Sequence, residues 1–282
     1  MDNNYEEHHV NGQQTHTNNA QCWCHTITSW YQVINNYEIS TTRNNGTRIS
    51  ALRDIMILRD QLNQYNHPNI AEFISYHEEC NPDRLYLHMP SSVYTLRQFI
   101  HLKDQVFNRQ TRDNICSVDY FLSFKLYEEL LQGLSFLHNK NLIIRNIRPE
   151  NILVGINNGD RFLKITSFGQ SVMTAEALRP IDDWSDIDVI YVAPEVLTGR
   201  QFDQRADIYS LATISQIDFF NIDFYEQQIS FTSPLIDRNI IDELFNSLML
   251  CLTFPDWDLR PSADQMIAYL NEFELNNQQF LL

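Results

Sequence analysis

The chain has 282 residues, 43% of them apolar, and its 36 acids against 20 bases leave a formal charge of −16. That length holds one large domain with a sizeable buried core, and so acidic a balance argues against nucleic acid and anionic membrane surfaces, leaving proteins as the expected partners. No apolar run reaches the roughly 20 residues of a spanning helix; the longest are short pieces such as SLMLCLTF.

In chain order, MDNNYEEHHVNGQQTHTNNAQ (residues 1–21) is polar and acidic. It lacks the basic start and apolar middle of a secretory signal and reads as a disordered tail. Cys22, Cys24, Cys80, Cys116 and Cys251 are odd in number and mostly far apart, which suits a reducing compartment, cytoplasmic or nuclear, better than a disulfide framework. His16, Cys22, Cys24 and His25 have the right chemistry for zinc, but C-x-C-H lacks the usual ligand spacing, so no metal site is expected there. From about 22 to 89, short β-like pieces (TITSWYQVI, RLYLHM) flank one strong helical segment, RISALRDIMILRDQLNQY. In it Ile49, Leu52, Ile55, Met56, Leu62 and Tyr65 fall near a 3.6-residue period. HMPSSVY, broken by Pro90, reads as a connector at about 90–92. SVDYFLSFKLYEELLQGLSFLHNKN then begins after a Ser/Asp capping signal, carries a broad apolar face, and opens a helical region running to about 276, with a short tail at 277–282.

Seven segments follow one another along the chain: HPNIAEFISYH, RLYLHMP, IIRNIRPENILV, LKITSFGQS, YVAPEVLTG, ADIYSLA and LRPSADQM. In this order, over about Thr47 to Leu270, they resemble the protein-kinase family. The resemblance implies an α+β, two-lobed fold over 22–276, with a small β-rich N-lobe holding one main helix and a larger, mainly α-helical C-lobe.

The positions that carry that family's chemistry depart from its pattern. Where the family's catalytic loop has the aspartate that accepts a proton from the attacking hydroxyl, this chain has Asn146, an amide without useful basicity. Ile144 replaces the loop histidine and Arg148 the loop lysine, while Asn151 matches the magnesium-binding asparagine and is the one candidate cofactor contact. Ser167 replaces the metal-binding aspartate of D-F-G, a neutral hydroxyl where a hard cation prefers an anionic oxygen; Phe168 and Gly169 remain. No lysine precedes Lys103, so the small-lobe lysine is missing, with Arg43 or Arg48 near its place and Asp54 standing in for the helix glutamate. The helix runs about a turn longer than usual before HPNI. Before Gly133 the only glycines are Gly12 and Gly46, so no phosphate-cradling G-x-G-x-x-G can be drawn.

The framework positions match. Arg145 corresponds to the arginine that meets an activation-segment phosphate, Glu195 and Arg260 to a buried pair, and Asp207 to the aspartate that braces the catalytic loop. Asp182, Asp183, Asp186 and Asp188 read as a solvated acidic loop; the alternative is a permanent substitute for a phosphate, paired with Arg145. Asp188 also stands where Ser/Thr kinases have a threonine, and His67 reads as a core or loop residue. The resemblance with these departures implies a pseudokinase: a protein-binding scaffold or allosteric regulator in signalling, its partner a protein such as an active kinase, with no cofactor expected and at most weak ATP/Mg binding. Two alternatives stay open, an unconventional low-activity Ser/Thr kinase and an ATP-binding, non-hydrolysing sensor.

Overall fold

The structure, a computed structural model, describes residues 52–80, 83–89, 92, 94–107, 109, 115–157, 160–177, 181, 184, 187–222, 238–252 and 256–278. The polar stretch 1–21, the Cys22/Cys24/His25 group, Arg43, Arg48, Asp182, Asp183 and Asp186 lie outside those residues.

Helix α1 spans 52–62, its second half (Ile57–Leu62) being π-helical. Ile55, Ile57, Leu58 and Leu62 are buried, whereas Met56 and Tyr65, two members of the expected apolar period, are exposed. Met56 borders the π-helical stretch, whose turns hold more residues than α turns and shift the buried face in sequence register, and Tyr65 lies beyond the helix end at Leu62. The helix leads through His67–Ile70 into the antiparallel hairpin β1 (Ser75–Cys80) and β2 (Asp83–His88).

After the connector, β3 (Tyr94–Thr95) runs directly into α2 (Leu96–Val106), whose start is fixed by a capping box between Thr95 and Gln98. Helix α3 (Ser117–His138) is the hub of the large lobe. Leu126, Leu130, Leu131, Leu134 and Leu137 form an inward stripe at helical spacing and are wholly buried, each such burial contributing about 1.5–3 kcal/mol. Its N-cap is Cys116 without a side-chain capping bond, and Asp119 is buried among cations rather than serving the helix end. A short hairpin, β4 (Leu142–Ile143) with β7 (Val172–Met173), and the sheet β3–β5–β6, where β5 is Ile152–Asn157 and β6 Asp160–Ile165, lie across α3.

Helix α4 (Pro194–Leu197) is a single turn; α5 (Arg205–Ile214) continues as a second π-helical stretch, Ser215–Phe219; α6 (Arg238–Cys251) and α7 (Ala263–Gln278) complete the lobe. The fold is therefore α+β and two-lobed, a small sheet lobe on a larger helical one. The HPNI segment joins them: Asn69 Nδ2 donates to Leu163 O at 3.0 Å, Ile165 N to Asn69 O at 2.9 Å, and Ala71 N to Ile165 O at 2.9 Å. Gly133 permits this docking, since a Cβ there would meet Ile165 Cδ1 at 2.9 Å. His67 stacks on Phe136 with ring centroids 4.5 Å apart, a packing role.

Candidate functional site

The loop from Ile144 to Asn151 is held from beneath by one carboxylate. Asp207, fully buried in the first turn of α5, accepts the backbone N–H of Ile144 and of Arg145, both at 2.8 Å, and lies 3.0 Å from His138 Nε2. Two converging amide donors bend the loop around this carboxyl group; Arg145 sits at φ +63°, a left-handed conformation that this over-determined setting sustains. Its Nε donates to Gln170 O at 2.7 Å, tying the loop to the segment after Gly169. Asp188, the described member of the acidic group, caps its own short turn by accepting Ile190 N at 3.2 Å.

Glu195 and Arg260 face each other with no exposed side-chain surface on either. Arg260 donates from both Nη atoms to both carboxylate oxygens, Nη2 to Oε2 at 2.9 Å, with its guanidinium 4.9 Å from the Tyr209 ring centre. The pair couples α4, and with it the end of the acidic segment, to the chain leading into α7.

On the loop itself Asn146 is buried, and Asn151 Nδ2 donates to its carbonyl at 3.0 Å. Thr166 N donates to Asn151 O at 3.1 Å and so brings the Ser167 turn beside them. Ser167 has φ +65°, and Phe168 is fully buried in the core. The turn is gripped from α1: Asp54 accepts the Phe168 N–H, and Arg53 Nη1 donates to Gly169 O at 2.8 Å. Burial pushes the Asp54 carboxyl up to about 7, against the pull of the Phe168 and Gly169 amides and Arg53. The helix acid that the sequence placed as a stand-in for a lysine partner is thus bonded to the backbone of the turn.

The structure therefore brings Asn146, Asn151 and Ser167 together, with Phe168 and Gly169 anchored beneath. Arg148 turns sideways, Nε donating to Glu150 Oε2 at 2.9 Å. That contact opens onto a group not singled out in the sequence. Arg97, in the first turn of α2, donates Nε to Glu150 Oε1 at 2.7 Å, Nη2 to the Tyr191 hydroxyl at 2.6 Å, and Nη1 to Asp218 Oδ1. Tyr191 in turn donates to Asp218 Oδ2 at 2.9 Å. Glu150 and Tyr191 lie inside RPEN and YVAPE and could have been suspected; Arg97 and Asp218 are 121 residues apart, and no local signal joins them.

A family model described as protein kinase domain matches residues 32–268. The chain belongs to that family. Among relatives of this kinase domain, an Aurora kinase of Eremothecium gossypii is 30% identical over 212 residues, covering 74% of this chain and 49% of the relative. An Aurora kinase of Candida glabrata is 25% identical over 207 residues, covering 73% and 49%. Cyclin-dependent kinase E-1 of Arabidopsis thaliana is 30% identical over 173 residues, covering 60% and 34%. The chain thus spans about half the length of the Aurora kinases it matches.

Proposed function

We propose that this kinase domain acts by binding a protein partner, as a scaffold or allosteric regulator in cytoplasmic signalling, without efficient phosphotransfer. The observation that carries the reading is the neutral trio Asn146, Asn151 and Ser167 at the centre of the loop–turn junction. Asn146 can position a hydroxyl but cannot take its proton, a loss of about 10²–10⁴-fold by itself. For magnesium the described donors are an amide and a hydroxyl, and the adjacent carboxylate, Asp54, is engaged by backbone amides. Such a set does not fit a hard divalent cation, which prefers anionic oxygens. Among the described residues no group of three or more His, Cys, Asp or Glu could hold a metal ion. Val189 and Ile190 on the turn before α4 and Leu197 on α4 are exposed apolar side chains, surface of the kind partners use.

The test is phosphotransfer to a generic acceptor with magnesium and ATP. No transfer above the protein-free blank is expected, Asn146→Asp should not restore it, and millimolar ATP with magnesium should leave the melting temperature unchanged, where a ligand at about 100 times its Kd would add roughly 2.7 kcal/mol. The relatives are kinases by name, which favours a second reading, a low-activity Ser/Thr kinase working through Asn151. Transfer by the unmodified protein that Asn151→Ala abolishes would establish it; nucleotide binding without transfer would make the domain a sensor.

A further inference from the structure

Between the short turn that follows β7 (Thr174–Glu176) and the chain that leads into α5 lies a groove of about 560 Å³, within the roughly 300–1,000 Å³ of sites that hold ligands. Ala175, Glu176, Phe202 and Asp203 are among the residues that line it. Phe202 is 6% exposed and packs in one apolar cluster with Val172, Val196 and Ala206, so the groove has a large apolar residue fixed in its lining. The two walls are tied to the same stretch of chain. Thr174 N donates to Asn141 O at 2.8 Å, while Gln204 Nε2 donates to His138 O at 2.5 Å and to Thr174 Oγ1 at 3.4 Å. A groove held by such bonds is formed before any occupant arrives, so binding in it demands little further ordering of the protein.

The two carboxylates of the groove differ in what answers them. Asp203 is met locally, Arg205 N donating to Oδ1 at 2.8 Å and Arg205 Nη1 to Oδ2 at 2.7 Å. Glu176 is exposed and has no ion pair among the described residues. Charge then selects the occupant. No lysine or arginine precedes Arg43 or follows Arg260, so neither end of this chain brings a cation, and a second copy, also at −16, is repelled. We propose that the groove between the Thr174–Glu176 turn and residues 201–203 is a docking site for a basic segment of another protein, one lysine or arginine meeting Glu176 and a neighbouring leucine-sized side chain lying against Phe202. The field of so acidic a domain steers such a segment in, and Glu176 fixes its register. Contact with Phe202 supplies most of the affinity, since an exposed ion pair contributes little. None of the groove residues belongs to the Asn146, Asn151 and Ser167 group, so the inference is independent of whether that group transfers phosphate.

Backbone-amide NMR shifts of the isotope-labelled full chain, titrated to millimolar peptide, test it. The probes are acetyl-Ser-Lys-Leu-Ser-amide and its Lys→Glu and Leu→Ser analogues. The parent peptide should shift the amides of 174–177 and 201–203 most, the Leu→Ser peptide should bind at least about ten-fold more weakly, and the Lys→Glu peptide should not bind detectably. Ala175→Trp, which fills the groove without altering charge, should abolish the response, and Glu176→Gln should weaken binding about two- to five-fold. Both positions are exposed, so the substitutions leave the core untouched. Shifts spread over the acidic surface that survive Ala175→Trp would mean non-specific attraction. Concentration-dependent shifts of the groove amides without peptide would put a second copy there. Either result, equal binding of the Leu→Ser peptide, or no shift at all would overturn the proposal.

Discussion

In the framework, Asp207 under the 144–151 loop and the Glu195–Arg260 pair between α4 and the chain before α7 carry chemistry capable of charge, lie wholly buried and are each multiply bonded; at the junction of the loop with the Ser167 turn, Asn146 and Ser167 are neutral. The two regions meet where Asp207 holds the loop, yet obey opposite rules. A charge taken out of water is sustained only where geometry supplies its partners, and the lower region supplies them completely. The upper region has its backbone held in the same way, through Asn151 on Asn146 and Asp54 on Phe168, but presents amide and hydroxyl side chains. Loop architecture therefore depends on the lower region and not on the identity of the side chains displayed above it.

The sharpest way to break this contrast is Arg260→Ala. It strands Glu195 in the core and should cost about 3–5 kcal/mol, read as a lowered midpoint of urea unfolding at an unchanged slope. A loss under about 1 kcal/mol would show that the pair is not the anchor its burial implies.

Next in size is a pH effect at Asp54. Its folded-state pKa, about 7, lies above the unfolded value of 3.8, so the folded state holds more protons between those values and this group's contribution to stability falls as pH rises from about 4 to 7. With about 1.4 kcal/mol per pKa unit, the fall amounts to a few kcal/mol. Asp54→Asn should flatten that part of the stability–pH curve; a curve of unchanged slope would mean that Asp54 does not titrate there.

The smallest effects belong to the upper region. Asn146→Ala and Ser167→Ala should each change stability by no more than about 1 kcal/mol and leave partner binding intact. Should either abolish biological activity while folding and binding persist, the neutral cleft senses a ligand or performs chemistry, and the scaffold reading falls.

Much of this was legible because kinase motifs are local. HPNI, RNIRPEN, TSFG, YVAPE and LRPS each announce a turn and its contacts within a few residues, and the Glu195–Arg260 contact follows from two such motifs. Less was legible where distance or helix geometry intervenes. Asp119 reads as a helix-start acid, yet it is buried against Lys103 and Arg109, a role decided by α2 and not by its own helix. Met56 and Tyr65 fit the period but face solvent, Met56 at the start of the π-helical stretch and Tyr65 beyond the end of α1. Arg97 carries no motif, and its meaning emerges only when α5 brings Asp218 to it.

The π-helical stretches at Ile57–Leu62 and Ser215–Phe219 make chain length itself part of the encoding. Each accommodates a residue that an α-helix would not, and each residue advances a helix by about 100°. Deleting one residue from Ile57–Leu62 would leave an acceptable α-helix by composition, yet its two halves would be turned against each other. Either Asp54 would swing away from the Phe168 amide or Leu62 would leave the core. A single deletion between Ser215 and Ile217 would likewise carry Asp218 around the helix and off Arg97. Both helices therefore act as two-ended rulers, in which every side chain can be correct while the count between them is wrong.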